Sequence, residues 1–214
     1  SQGGTILESY DIAISELKSR LDNLGLAVEQ AVGETAKALA TMDVELAKKI
    51  YEGDDEIDAL VRECMKKDMT IDMLQNPVAT DWRNLMATLK ILSDMERIAD
   101  HCADISHYIL HLKEYGDPVD QPTGLMEMYA VMSSMVSDVL DFYKGKNSSQ
   151  ADLMKDKDDI VDEAFNRLIA QISEKVKSDP DHSRQYIAYV LIVKYIERMA
   201  DHANNIAEWV IYRE

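Results

Sequence analysis

Glu96 and Asp100 stand four residues apart in the segment DMERIADHCADI at 94–105, and Glu197 and Asp201 repeat that spacing in YIERMADHANNI at 195–206. Asp54 with Asp58, and Asp158 with Asp162, give two further pairs at the same spacing. On an α-helix, residues four apart are neighbours on one face, so each pair holds two carboxylates one turn apart. Like charges so placed cost a helix about 0.2–0.5 kcal/mol per pair, and helix stability alone does not ask for them. A merely solvated polar face is the plainer alternative, but such a face gains from alternating signs, as Glu16 and Arg20 can. Carboxylates one turn apart can converge on a hard cation, and two such pairs on adjacent antiparallel helices would supply the oxygen ligands of a multinuclear metal site. The spacing therefore predicts one carboxylate metal site in each half of the chain. Asp55, Asp104 and Asp159, beside these pairs, are additional candidate ligands.

The neighbouring residues read differently. On a helical projection Met95, Ile98, Ala99, Cys102, Ile105 and Ile109 form an apolar stripe, with Glu96, Asp100, Asp104, His107 and His111 pointing away from it. The second copy has Met199, Ala203, Ile206 and Val210 against Glu197, Asp201, Asn205, Glu208 and Tyr212. The acids are thus expected on the outside of the bundle. His101 and His202 point to the flank of the apolar stripe, which suits a hydrogen bond to a neighbouring helix better than metal ligation. His107 and His111 have ligand spacing, but their counterparts are Glu208 and Tyr212, which leaves them outside the repeated site. Arg97 and Arg198 are expected to pair with acids on adjacent helices. The Met-rich segment 124–136 reads as core filling.

The elements that must position these residues are helices. Apolar residues make up 46% of the chain and aromatics only 7%. Few segments are rich in the β-branched residues that favour strands. Breakers at 40–43, 75–81, 114–124, 143–150 and 178–183 divide the chain into six helices. Each is expected to run for about 25–35 residues, long for a globular protein. The second half repeats the first: Asp54-Asp55-x-x-Asp58 matches Asp158-Asp159-x-x-Asp162, and Glu96-Arg97-x-Ala99-Asp100-His101 matches Glu197-Arg198-x-Ala200-Asp201-His202. Asp43 matches Asn147, both good N-cap residues. The expected fold class is all-α, two tandem three-helix bundles related by internal duplication, with repeats at 1–117 and 118–214.

A net charge of −17 opposes binding to nucleic acid or anionic lipid and favours cations and basic protein surfaces. Cys64 and Cys102 lack C-x-x-C spacing, so neither a disulfide framework nor a thiolate site is expected, and a reducing cytoplasm fits. The longest apolar run, Tyr186 to Ile196, is too short to span a bilayer and contains Lys194, so no membrane insertion is expected.

Two three-helix repeats, each ending in Glu-Arg-x-x-Asp-His, the second continuing Ala203-Asn204-Asn205-Ile206-Ala207-Glu208, resemble the PhoU family of phosphate-transport regulators, as does NLGLAVEQAV at 23–32. The resemblance implies a cytoplasmic, non-enzymatic, commonly dimeric regulator. Such proteins restrain uptake by the ABC phosphate transporter and repress phosphate-starvation signalling, linking the transporter ATPase subunit to a sensor histidine kinase. It further implies multinuclear surface clusters of iron or zinc, with manganese or magnesium as other occupants. Carried over, the ligands are Glu96, Asp100, Asp54 and Asp58 in the first half and Glu197, Asp201, Asp158 and Asp162 in the second, with Arg97, His101, Arg198, His202 and Asn205 as supporting motif residues. Ala99 and Ala200 stand where the family has Gly, a methyl group that slightly separates the packed helices in both copies. In the first copy alone Asp104 stands where the family prefers Asn and Ser106-His107 where Ala-Glu is usual, so the first site is expected to differ in affinity from the second. Two other readings are a di-metal carboxylate oxidase and an accessory protein of a different phosphate permease. The oxidase calls for inward Glu-x-x-His pairs, which neither motif has.

Overall fold

Residues 2–74, 79–143 and 151–213 are described by the structure, a computed structural model. They form six α-helices: α1 (Gln2–Thr41), α2 (Val44–Leu74), α3 (Ala79–Leu112), α4 (Leu125–Tyr143), α5 (Ala151–Ser178) and α6 (Ser183–Arg213). No strand occurs among the described residues, as the composition predicts. Two lengths depart from expectation. Helix α1 runs for 40 residues and α4 for only 19. The first break that ends α1 is the one at 40–43, and the helix runs through Gly3 and Gly4, whereas Gly124 precedes α4 and the polar 144–150 segment follows it.

The first break turns on Met42, which takes φ 53 in the left-handed region. Residues with a side chain seldom adopt that conformation. Asp43 then caps α2, its Oδ1 accepting from the Leu46 N–H at 3.1 Å, the usual role of an N-cap aspartate. Its expected counterpart Asn147, and the Pro77 break, lie outside the described residues. The fifth break is a 3-10 turn at Pro180–His182 leading directly into α6.

The central break is a strapped segment. After a 3-10 turn at Lys113–Tyr115, Gly116 reverses the chain at φ 104, a backbone state open to glycine at little cost. The side chain of Gln185, 2% exposed, then takes the Val119 N–H at 2.9 Å and donates to the Asp117 carbonyl at 2.7 Å. Gln121 donates to the Leu39 carbonyl at 2.6 Å, and Gln171 accepts from the Thr123 N–H at 2.7 Å. The linker is thereby tied to α1, α5 and α6.

One apolar cluster runs from Leu24 in α1 to Val210 in α6, so the two halves share a core. The stripe predicted for α3 is buried throughout, Met95 and Ile98 at 1% and Cys102, Ile105 and Ile109 at 0% exposure. Its α6 counterpart is buried likewise. The two stripes do more than fill their own bundles. Helices α3 and α6 pack antiparallel along their lengths, Arg83 resting over the Tyr212 ring at one end and His101 stacking on Tyr195 past the middle of α3. Helix α4 joins α1 through the buried Tyr129 hydroxyl, which donates to the Val32 carbonyl at 2.6 Å. The Met-rich segment supplies Met128, Met132 and Met135 to this core, the packing role its sequence suggests.

Candidate metal centres

Helix α2 runs beside α3, and α5 beside α6, so each pair of motif carboxylates meets its partner pair across a helix-helix groove. Oxygens of Asp54, Asp58 and Asp100 lie within 4.8 Å of one another, and those of Asp158, Asp162 and Asp201 repeat the arrangement. Six of the eight predicted ligands are thus brought together in two matched triads. Glu96 and Glu197 sit at the edges, half-buried and close enough for their charges and those of the triads to act on one another.

The groove is less open than a helix face pointing away from the core. Asp54, Asp58 and Asp100 are half-buried, and Oδ1 of Asp54, of Asp58 and of Asp158 is buried with no hydrogen-bond partner. Helix α2 closes over the acidic edge of α3, which a single-helix projection does not show. A carboxylate oxygen shut away from water and unpartnered is costly unless protonated or bound to a cation.

The electrostatics follow. Burial first, then the charges of Asp100 and Asp58, push the Asp54 carboxyl up to about 8, as desolvation and like charge together must. Asp58 rises to about 6, from burial and then Asp100. In the second triad burial and the Asp201 charge raise Asp158 to about 6 and Glu197 to about 7. Asp162, Asp201 and Glu96 are raised as well, burial being the largest cause for each. Compensating bases are sparse. Arg62 and Arg198 act from a distance, and Arg97 reaches Asp100 at 3.5 Å from an exposed position.

The supporting residues divide. Arg97 pairs within its own helix and not with an adjacent one, because Asp100 lies one turn on at the same face. Arg198 is exposed, and its charge acts on Glu197 and Asp201 of its own helix. His202 does reach a neighbouring helix, its Nδ1 donating to Asp94 Oδ1 at 2.9 Å. His101, 1% exposed, bonds instead to Asp104 of α3 at 3.1 Å and stacks on Tyr195 and His202 of α6, with ring centroids 5.3 and 5.5 Å away. Asp104 is therefore engaged with a histidine and lies outside the first triad, although its charge still raises Asp54. Asp55 and Asp159 are exposed and outside the triads, with Asp159 close enough to raise Asp158 and Asp162. Asn205 is half-buried and likewise outside the triads.

Spacing does not single out Asp94 and Tyr195. A signal is present: they occupy the same position of the two repeats, two residues before Glu96 and Glu197, and each meets the histidine of the other repeat.

A duplicated all-α scaffold with a carboxylate groove in each half is the class that fold and site define. The PhoU domain model matches the chain twice, over residues 21–109 and 125–210. The phosphate-specific transport system accessory protein PhoU homologue of Clostridium acetobutylicum is 31% identical over 206 residues, covering 95% of this chain and 93% of its own. The homologue of Zymomonas mobilis is 32% identical, covering 99% and 89%. Among solved structures, PhoU from Pseudomonas aeruginosa superposes with a TM-score of 0.89 at 25% identity, covering 95% of this chain and 98% of that one. The phosphate transport system regulatory protein PhoU from Streptococcus pneumoniae gives 0.82 at 27% identity, covering 95% and 96%. The chain belongs to the PhoU family.

Proposed function

We propose that this chain is an accessory protein of a phosphate transport system, acting as a metal-loaded adaptor that restrains uptake and represses phosphate-starvation signalling. Membership of the family, whose members above are accessory or regulatory proteins of such systems, supports the first part. The observation that carries the adaptor reading is the pair of matched carboxylate triads, one in each repeat. In a di-iron oxidase a histidine would follow each motif Glu by three residues. Here Ala99 and Ala200 occupy those places, at 2% and 0% exposure. The function is non-enzymatic.

The donor set fits a cation. Buried, unpartnered oxygens of Asp54, Asp58 and Asp158 face a second helix bearing Asp100 or Asp201. Asp54, Asp58, Asp100 and Glu96 would hold metal in the first repeat, and Asp158, Asp162, Asp201 and Glu197 in the second. With carboxylate donors alone, iron, manganese and magnesium suit the triads better than zinc, which takes nitrogen and sulfur readily. A bound cation would neutralise the mutual repulsion and cross-link α2 to α3 and α5 to α6.

The repeats span 1–117 and 118–214 in this reading, with the linker strapped between them. The partners are the transporter ATPase subunit, the sensor histidine kinase and a second copy of the chain, in the cytoplasm. No helix among the described residues is long and apolar enough to cross a membrane. The net charge of −17 suits basic protein surfaces. Deletion of the gene tests the regulatory reading: phosphate-starvation genes should be expressed at high phosphate. If they stay silent, the reading fails. Pull-down with the ATPase subunit and the kinase tests the adaptor role, which falls if neither is retained.

A further inference from the structure

The polar face of α3 continues past the first triad into two histidines that the second repeat lacks. His107 and His111, one turn apart, have ring centroids 4.3 Å from each other at an interplanar angle of 61°. Glu114, brought back by the 3-10 turn that ends α3, accepts from His111 Nδ1 at 2.9 Å. We propose that His107 and His111 form a separate nitrogen-donor metal site for a divalent transition ion of the zinc, nickel or copper class.

The chemistry is that of two imidazoles at positions i and i+4 of a helix, a spacing that directs both side chains to one ion. Metal-nitrogen bonds of about 2.0–2.1 Å place two imidazoles sharing an ion with ring centres roughly 4.5–5 Å apart. The observed 4.3 Å therefore needs only a small rotation. Glu114 supplies the usual outer partner of a metal-binding histidine. By holding Nδ1–H of His111 it fixes the tautomer that leaves Nε2 free as a ligand. The rings are reachable, His111 being 36% exposed, and the Tyr51 ring lies tilted beside His107 with centroids 5.9 Å apart.

Two features separate this site from the triads. Its donors are nitrogen, which selects borderline ions where carboxylates select hard ones. The matching positions in α6 are Glu208 and Tyr212, so the site exists once per chain while the triads occur twice. The proposal holds whether or not the triads bind metal.

The test uses the full-length, tag-free chain stripped with chelator and titrated with zinc, followed by calorimetry and by ¹⁵N-histidine ring resonances. The expected result is one zinc-dependent shift of the His107 and His111 rings. His107→Ala or His111→Ala should abolish it, and Glu114→Gln should weaken binding about tenfold or more. The shift should persist in Asp54→Asn/Asp100→Asn. Unmoved rings, unchanged zinc binding in the histidine variants, or loss of the ring shifts in the aspartate variant would each overturn the proposal. All these side chains are at least partly solvent-exposed, so circular dichroism serves as the control for folding.

Discussion

Asp94 of α3 and His202 of α6 meet at 2.9 Å across the helix pair that joins the two repeats. Both side chains are mostly shielded, His202 at 21% and Asp94 at 14% exposure. Solvent therefore competes weakly for the bond. Replacing Asp94 with Ala should lower stability by about 1–2 kcal/mol, read by urea denaturation. A double-mutant cycle with His202→Ala should show that the two losses are not additive. Additive losses would mean the contact contributes nothing.

Stability of the metal-free protein should fall as pH rises from about 4 to about 8. Asp54, pushed up to about 8, Glu197 to about 7 and Asp58 and Asp158 to about 6 bind protons more tightly folded than unfolded. Their contribution is complete below the unfolded carboxylate range and is lost as pH passes through each folded value. Glu16 and Asp179, held low by Lys67 and His182, act in the opposite sense, but Glu16 is exposed and Asp179 is half-exposed, where solvent screens their pairs. Asp54→Asn with Asp158→Asn should flatten the decline in thermal melts taken across this range. A wild-type profile that rises toward pH 8 would contradict the electrostatics of the triads.

Metal should reverse that trend. At neutral pH, manganese or ferrous iron at about 100 times its dissociation constant should stabilise each site by about 2.7 kcal/mol, and chelator should remove the gain. Asp100→Ala and Asp201→Ala should each lose one site's share, measured as metal content and as melting temperature. Equal metal content in both variants and the wild type would remove the triads as ligands.

Tyr129→Phe deletes the hydroxyl that donates to the Val32 carbonyl and leaves that carbonyl with its bond within α1 alone. A loss of about 1–2 kcal/mol is expected in denaturant melts, with no change in metal binding. The variant separates damage to the shared core from damage to the triads.

Much of this is legible in residue spacing. Helical periodicity locates the buried stripe from Met95 to Ile109, and repeated like-charge pairs locate six carboxylates that the fold brings within reach of one another. Projection on one helix cannot show that a second helix half-buries five of those acids and leaves Asp201 exposed, because burial in a groove depends on the neighbour. Spacing points Arg97 outward to another helix, and a nearer acid at i+3 captures it. Asp94 and Tyr195 stay hidden for a related reason. Their roles exist only because α3 and α6 face each other, and the local pattern of either helix is silent on which face its distant copy will cover. Apolar periodicity likewise cannot tell a helix that completes its own bundle from one that also seals the joint.

The contacts across α3 and α6 carry one more consequence. Exchanging the repeats turns the Asp94–His202 pair into Tyr195–His101. Equivalent positions thus meet equivalent positions, as in the isologous interface of a two-fold dimer. Within a single chain, however, the two sides of such an interface are encoded separately. A true homodimer must accept every substitution twice. Here aspartate stands opposite tyrosine in the exchange, and a histidine pair stands at 107 and 111 while glutamate and tyrosine stand at 208 and 212. Covalent joining preserves the symmetry of the packing and releases its halves to diverge in chemistry.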